Sequence, residues 1–265
     1  MSDPARRGRE PTPEAASALA LDAPPKAVLE LLRNGELELL GRLSMASNAS
    51  FYAALRGPDP QGGPAPVTVA SVYKPIRGER PLDDFPDGTL AFREVAAFVV
   101  SEAAGWRIVP PTVLRDGPFG LGMVQLWLDP DEHIDPVALI RGGAPALRRM
   151  ALFDALVNNA DRKVGHLLPM PGGHVYGVDH GICFAVEPKL RTVLWGWRGQ
   201  PFSRAEQTTL LRLQAALGAR LGSELRELLA PAEVRATAGR AANLLAEGCF
   251  PQPDRDRPVI PWPPY

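Results

Sequence analysis

Hydrophobic positions in the first half of the chain alternate with polar ones, which is typical of strands with one buried face. The clearest strand is 66–75, which is rich in β-branched residues and ends with Lys74 and a proline. Clusters of Gly, Asp and Pro separate it from its neighbours and predict tight turns between strands. The strands predicted in this way are 36–43, 51–55, 66–75, 108–115 and 121–128.

Elsewhere, apolar residues recur every three or four positions, which predicts helices. One helix opens with Pro145, a residue favoured at the first helical position, and runs to about Val157. Another lies between Asp87 and Gly105 and carries Glu94 beside its apolar stripe. The remaining predicted helices are 26–32, 203–219, 221–230 and 231–246. A sheet with its helix, followed by a mainly helical region, indicates the α+β class.

Changes in composition along the chain predict its organisation. Residues 1–25 are rich in Pro and Ala without any period, and we expect them to form a disordered tail. Residues 26–128 hold the predicted sheet and its helix. Strands give way to helices after that point, so 129–250 is predicted to be a second unit. A Pro-rich tail follows at 251–265.

Composition argues against several classes of function. The 265 residues carry a formal net charge of −1, so neither nucleic acid nor an anionic membrane is an expected partner. Cys183 and Cys249 form no metal-spaced pair, and so low a cysteine content fits a reducing compartment. No long uncharged apolar run is present, so we expect no signal peptide, no membrane span and a cytoplasmic location.

Two acidic loops carry the candidate chemistry. Asp161 follows the helix that ends near Val157, and Asp179 begins the turn Asp179–His180–Gly181. Two carboxylates on two loops, separated by a stretch about as long as a hairpin, can hold metal ions against a polyphosphate. Taken singly, Asp161 could instead form a surface ion pair and Asp179 an ordinary turn. Asp154, on the apolar side of the helix, is expected to bind backbone N–H groups of the following loop.

Lys74 and Glu94 could complete such a site. A lysine at the end of a buried strand can reach the phosphates of a nucleotide, or it can simply extend to solvent. Glu94 could pair with Lys74 and aim it, or it could be a solvated helix residue. The spacing suits a strand, loop and helix that pack back on one another.

Two further stretches could contact a nucleotide. The small-residue turn 44–50 contains Ser47 and Asn48, and its backbone N–H groups could cover phosphates, although an ordinary turn would have the same composition. Gln125 and Leu126 lie where an apolar strand runs into a polar linker. Adenine could stack there on apolar side chains and bond to the backbone.

The order of these residues, Lys74, Glu94, 161–166 and 179–181, resembles the phosphatidylinositol 3-/4-kinase-like branch of the protein-kinase-like fold. The chain resembles the HipA-type bacterial kinases more distantly. The resemblance covers about residues 35–245. It implies a two-lobed fold with an N-terminal antiparallel sheet plus helix, a mainly helical C-terminal lobe, and ATP in the cleft.

The resemblance also implies a role for each residue. Lys74 would hold the α- and β-phosphates, and Glu94 would orient Lys74. Asp161 would orient or deprotonate the acceptor hydroxyl, with Arg162 beside it in the catalytic loop. Asp179 would bind magnesium that bridges the phosphates.

Three positions depart from the family pattern. His166 replaces an asparagine, and imidazole is a poorer magnesium ligand than an amide oxygen, so one metal site is altered, manganese is used, or one ion binds alone. Lys163 stands in the D-R-H triplet, where it could neutralise the γ-phosphate. His180 replaces the phenylalanine of D-F-G, and we expect it near solvent with a pKa near neutrality.

These expectations favour an ATP- and metal-dependent phosphotransferase whose acceptor is a hydroxyl of a protein or a small molecule. One alternative is an impaired kinase-like module that binds nucleotide without turnover, which His166 supports. Another is a partner-binding scaffold with a vestigial cleft. Transfer of AMP in place of a phosphoryl group is a variant of the first hypothesis. Too few cations follow Asp179 for secure attachment to a lipid surface.

Overall fold

The computed structural model describes residues 12–43, 48–254 and 256–265, and its first half is built on one antiparallel sheet. The strands lie in the order β1-β2-β3-β5-β4, and all neighbours are antiparallel. Their bounds are β1 Glu36–Arg42, β2 Phe51–Gly57, β3 Val67–Pro75, β4 Thr112–Gly117 and β5 Gly120–Leu126. The five predicted strands are confirmed. β4 starts later than predicted because Pro110 and Pro111 have no N–H to donate to a neighbouring strand.

Helices cover the sheet and form the second half of the chain. Those of the first half are α1 Pro13–Ala20, α2 Pro25–Asn34 and α3 Leu90–Ala104. Those of the second half are α4 Pro136–Arg141, α5 Pro145–Val157, α6 Arg204–Leu217, α7 Arg220–Arg226 and α8 Pro231–Glu247. The short strands β6 Leu167–Pro169 and β7 Val175–Gly177 form a hairpin. The predicted α+β class is confirmed. Across the described part of the chain, no helix has the length and apolar character needed to cross a membrane.

Strand β3 determines which way Lys74 points. Side chains alternate between the two faces of a strand. Tyr73 is fully buried in the core between the sheet and α2. Lys74 therefore lies on the other face, where its cross-strand partner Met123 packs against α3. The alternation predicted from the sequence thus directs the lysine toward the helix that carries Glu94.

Helix α1 lies in the stretch that was expected to be a disordered tail, and this expectation is wrong for residues 12–25. Thr12 caps the helix by accepting the N–H of Ala15, and the helix begins at Pro13. Ser17 is fully buried and both donates to and accepts from the backbone of Ala70 in β3. The helix gave no clear periodic signal because small alanines form most of its buried face. Residues 1–11 lie outside the described part of the chain.

Helix α3 is bound to both halves of the protein through buried contacts. Its residue Arg93 is 1% exposed and donates to a carboxylate oxygen of Glu233 in α8 at 2.6 Å. The same guanidinium donates to the carbonyl of Cys183 at 2.7 Å and lies over the ring of Phe85. A buried charge with these partners is fully compensated. The contacts fix α3, and with it Glu94, against the helical half.

The Pro-rich segment after α8 lies against two loops of the helical half. The carbonyl of Val259 accepts hydrogen bonds from the N–H of Thr192 and from the indole of Trp195. The carbonyl of Pro264 accepts the N–H of Val164 at 2.9 Å. The segment thus contacts the loop that contains Asp161.

Breaking the Arg93–Glu233 pair tests how strongly α3 is held. Replacing Glu233 with alanine leaves the guanidinium buried without its carboxylate, and we expect the free energy of unfolding to fall by about 3 kcal/mol. Equilibrium denaturation in urea measures this. The control is Arg220→Ala, which removes an exposed ion pair with Glu224 and should change stability little.

The double variant Arg93→Met/Glu233→Leu should recover much of the loss, because neither charge then remains buried. A Glu233→Ala protein as stable as the wild type would contradict a role for this pair.

Candidate active site

The loop after α5 is organised by one buried carboxylate. Asp154 is fully buried, and its carboxylate accepts hydrogen bonds from the side chains of Arg162, Asn159 and Thr192. The expectation that this carboxylate binds backbone N–H groups is wrong, because a buried charge is better compensated by an opposite charge. The backbone N–H groups of Asn158 and Asn159 go instead to the Asp154 carbonyl.

Arg162 was predicted to be catalytic, and the structure places it elsewhere. Its side chain is fully buried, with two guanidinium nitrogens on Asp154. The remaining donors reach the carbonyl of Val178 at 3.1 Å and Nε2 of His180 at 2.7 Å. With all its donors occupied, Arg162 cannot contact a substrate. It joins the loop of Asp161 to the loop of Asp179.

Asp161 and Lys163 face each other at the surface of the site. Lys163 Nζ lies 3.0 Å from Asp161 Oδ2, and each side chain is about one-fifth exposed. Burial raises the pKa of Asp161, and the hydrogen bond from Lys163 opposes this. Asp161 is therefore a partly desolvated carboxylate with a lysine ammonium beside it.

Lys74 lies between the carboxylates of Glu94 and Asp179. Its pairing with Glu94 was predicted from the sequence. Its Nζ is 2.7 Å from Glu94 Oε1 and 2.9 Å from Asp179 Oδ1. Burial alone would lower the pKa of Lys74, but the two carboxylates raise it above its ordinary value. Lys74 in turn holds the pKa of Asp179 well below its usual range. Burial raises the pKa of Glu94, against the opposing charge of Lys74. The three groups form a charged cluster at the end of the central strand β3.

Asp161, His166 and Asp179 form a group that could hold a metal ion. One ligand atom from each lies within 4.8 Å of the other two. His166 Nε2 is 3.5 Å from Asp179 Oδ2. Burial lowers the pKa of His166 to about 4, so the imidazole is neutral near pH 7 and has a lone pair to offer. An imidazole beside two carboxylates suits a transition-metal ion such as Mn²⁺ better than it suits Mg²⁺.

An apolar cavity of about 370 Å³ opens beside this cluster. Its lining includes Val72, Leu126, Leu128 and Leu168, and it ends at Lys74, His166 and Asp179. A cavity with mostly apolar walls and a few polar groups at one end is the usual form of a small-ligand site.

Gln125 and Leu126, which were predicted to contact a nucleotide, both line this cavity. The backbone of Gln125, however, pairs with both β3 and β4, and its side-chain amide donates to the hydroxyl of Thr112. The chain leaves the sheet just beyond, where the N–H of Trp127 binds the carbonyl of Ala70. Gln125 is thus a wall of the cavity, and its side-chain amide nitrogen is already hydrogen-bonded within the protein.

Asn48 lies at the mouth of a smaller cleft that is also lined by Lys74, Asp161 and Asp179. Its side-chain oxygen accepts the N–H of Arg80 at 2.9 Å, which ties the turn to the loop after β3. Ser47 lies outside the described residues.

Glu79 lines the same cleft and was missed by sequence analysis. Its two carboxylate oxygens accept the N–H groups of Leu90 and Ala91 at the start of α3. Thr89 makes no side-chain cap there, and the first N–H groups of a helix need a partner. An acidic residue upstream of an uncapped helix was the signal that could have revealed it.

His180 was expected near solvent, and the structure contradicts this. The side chain is fully buried and meets the ring of Phe153 edge to face. Its backbone N–H donates to Glu94 Oε2 at 2.8 Å. Burial and the charge of Arg162 lower the pKa of His180 well below its ordinary value, so the ring is neutral. The buried imidazole supplies a hydrogen-bond acceptor for Arg162 at this position.

A relative of high identity establishes the family of this chain. The chain is 43% identical over 274 residues to protein Rv2133c of Mycobacterium tuberculosis, and the match covers 89% of this chain and 94% of that protein. The chain belongs to the Rv2133c family. No protein-family model matches the sequence.

Solved structures show what fold this member of the Rv2133c family has. The Golgi casein kinase superposes with a TM-score of 0.57 at 16% identity, over 84% of this chain and 74% of that chain. A structure of the Golgi casein kinase with Mn/ADP bound has a TM-score of 0.57 at 15% identity, over 89% of this chain and 78% of that chain. The structure of hydra Fam20 with sugar has a TM-score of 0.54 at 16% identity, over 83% of this chain and 86% of that chain.

These matches confirm the protein-kinase-like fold that was predicted for the Rv2133c family member. The assignment to the phosphatidylinositol 3-/4-kinase-like branch, and the distant likeness to HipA, stay predictions.

The buried His166 should give stability a measurable pH dependence. Its pKa is about 4 in the folded protein and 6.5 when unperturbed, so the unfolded chain binds the proton more tightly. This stabilisation is present above the unfolded pKa and is lost as the pH falls toward the folded pKa. Between about pH 7 and about pH 4.5, the free energy of unfolding of wild type should fall by about 2 kcal/mol more than that of His166→Asn, which has no imidazole to protonate.

Urea denaturation at each pH measures the free energy of unfolding of both proteins. His133→Asn is the control, because it makes the same substitution at an exposed histidine that does not line the cavity. Parallel profiles for wild type and His166→Asn would show that His166 is not desolvated in the folded protein.

Proposed function

We propose that the protein is an ATP- and metal-dependent phosphotransferase, a kinase that acts on a hydroxyl of a protein or a small molecule. The observation that carries the proposal is the position of Lys74 between Glu94 and Asp179, with Asp161 and His166 beside Asp179. A cation paired with two carboxylates at the end of an apolar cavity is suited to a nucleotide phosphate, which can replace one of its anionic partners.

In this proposal the nucleotide lies in the apolar cavity. Adenine occupies the space between Val72, Leu126 and Leu168, and hydrogen-bonds to the backbone that follows β5. Lys74 then holds the α- and β-phosphates, and Glu94 keeps Lys74 in place. The two predicted lobes, 26–128 and 129–250, would meet along this cavity, with Asn48 near the phosphates.

Asp179 and His166 are proposed as metal ligands, with Asp161 within reach of the same ion. The donor set fits a divalent cation, and the Golgi casein kinase structure with Mn/ADP bound, which shares the fold, supports the proposal. A bound Mg²⁺ or Mn²⁺ would supply positive charge to the phosphates. The imidazole makes Mn²⁺ the better match.

Asp161 is proposed to accept the proton of the acceptor hydroxyl. The hydroxyl oxygen forms a bond to the γ-phosphorus, the bond between that phosphorus and the bridging oxygen breaks, and ADP leaves. Lys163 lies 3.0 Å from Asp161 and can turn toward the γ-phosphate. Arg162 holds the loop in place and touches no reactant.

The acceptor is proposed to be a protein or a small soluble molecule. The predicted likeness to phosphatidylinositol kinases does not require a lipid, since few cations follow Asp179. The location is proposed to be the cytoplasm, from composition alone.

A second candidate function is nucleotide binding without turnover. It is favoured by His166, which stands where the kinase pattern has an asparagine and whose Nε2 faces Asp179 at 3.5 Å. In that case ATP would stabilise the protein even after metal is removed.

Paired aspartate variants separate binding from chemistry. We expect Asp161→Asn to lower turnover by about 10²- to 10⁴-fold, because the proton acceptor is lost, while ATP still raises the melting temperature. Asp179→Ala should abolish the metal-dependent part of that shift. Asp83→Asn is the control, because Asp83 is exposed outside the cavity. Phosphate transfer from labelled ATP and thermal unfolding are the measurements, and full activity of Asp161→Asn would rule out the assigned role.

Replacing His166 tests the choice of metal. An amide oxygen suits Mg²⁺, so we expect His166→Asn to raise activity with Mg²⁺ relative to Mn²⁺. Initial rates across a titration of each metal measure the ratio. A fall in activity with both metals would mean that asparagine cannot fill the role of His166.

A further inference from the structure

One polar atom in the core of the site has no partner. Nδ1 of His180 is fully buried and makes no hydrogen bond to any described residue. It lies 4.0 Å from Glu94 Oε2, too far for a hydrogen bond. Buried polar atoms without a partner are uncommon because they lose their bonds to water and gain none in return.

The position of the proton on His180 follows from its neighbour. Arg162 approaches Nε2 at 2.7 Å, and a guanidinium can only donate. Nε2 therefore accepts, and the proton of the neutral ring is on Nδ1. The unpartnered atom is a donor on the side of the ring that faces a buried carboxylate.

Glu94 is the group that would need this donor. Its Oε1 receives Lys74 at 2.7 Å, and its Oε2 receives the backbone N–H of His180 at 2.8 Å. The carboxylate is 2% exposed, so water cannot replace a lost partner. If Lys74 moves toward a phosphate, Glu94 loses part of its compensation.

We propose that His180 is a positioning residue of the nucleotide site, whose Nδ1–H donates to Glu94 when Lys74 binds the phosphates of ATP. The proposal rests on the proposed function of the site. A shift of about 1 Å closes the gap to hydrogen-bond distance. His180 then joins Arg162 to Glu94, so that the loop of Asp161 and helix α3 are held together while the nucleotide is bound.

The residue type supports this role. A phenylalanine at 180 would also pack edge to face on Phe153, but it could neither accept from Arg162 nor donate to Glu94. Histidine is a side chain that can do both at once with its two ring nitrogens.

Two amide substitutions separate the two ring nitrogens. Asparagine places an amide near the position of Nδ1 and can serve Glu94, whereas glutamine reaches the position of Nε2 and can serve Arg162. We expect His180→Asn to bind a non-hydrolysable ATP analogue with Mg²⁺ within about threefold of wild type. His180→Gln and His180→Phe should bind it about tenfold more weakly, as for one lost hydrogen bond to a charged group.

Calorimetric titration of each folded variant gives the dissociation constants, and urea denaturation without nucleotide gives its stability. If the role of His180 were purely structural, the three variants would lose the same stability, and their dissociation constants for the ATP analogue would be equal. Equal binding by the asparagine and glutamine variants would overturn the proposal.

Nuclear magnetic resonance of wild type with ¹⁵N-labelled histidine needs no variant to fold. We expect His180 to carry its proton on Nδ1 in the free protein, and this proton to move downfield when the ATP analogue and Mg²⁺ are added. A proton on Nε2, or a Nδ1–H that does not respond to bound nucleotide, would overturn the proposal. Absence of any nucleotide binding by wild type would instead refute the proposed function.

Discussion

The buried ion pair between Asp154 and Arg162 is the interaction on which the candidate site depends. Both side chains are fully excluded from solvent. Removing two charges from water costs several kcal/mol for each, so the pair persists only with near-complete hydrogen bonding, which Asn159 and Thr192 help to provide. Because Arg162 also binds the carbonyl of Val178, the same pair sets the spacing between the loops of Asp161 and Asp179.

From that pair, charges alternate in sign across the protein to the cavity. Arg162 contacts His180, the backbone of His180 contacts Glu94, Glu94 binds Lys74, and Lys74 binds Asp179. Each charged group has an oppositely charged neighbour. Under the proposed function, an anion would compete with Asp179 for Lys74, and a cation would compete with Lys74 for Asp179. Nucleotide and metal are therefore expected to favour each other's binding.

The sequence predicted the parts of the structure that depend on local pattern. Strand β3 and helix α3 follow from alternation and helical spacing, and the pairing of Lys74 with Glu94 follows from their positions on the two elements. The burial of Arg162 and His180 could not be predicted, because it depends on how α5, the distant helix α3 and the loops of Asp161 and Asp179 pack together. Helix α1 was missed because its buried alanines resemble a disordered Pro- and Ala-rich segment. What each side chain contacts is decided by tertiary packing.

The two-sided attachment of α3 bears on how ligands would exchange. The helix packs on Met123 of the sheet and, through Arg93, on Glu233 of the helical half. A hinge motion that separates the halves would have to expose a guanidinium that is 1% accessible, together with the carboxylate it binds. Such a motion would break either the Arg93–Glu233 ion pair or the packing of α3 on Met123. We therefore expect ligand exchange to depend on the loops at the rim of the cavity more than on separation of the two halves.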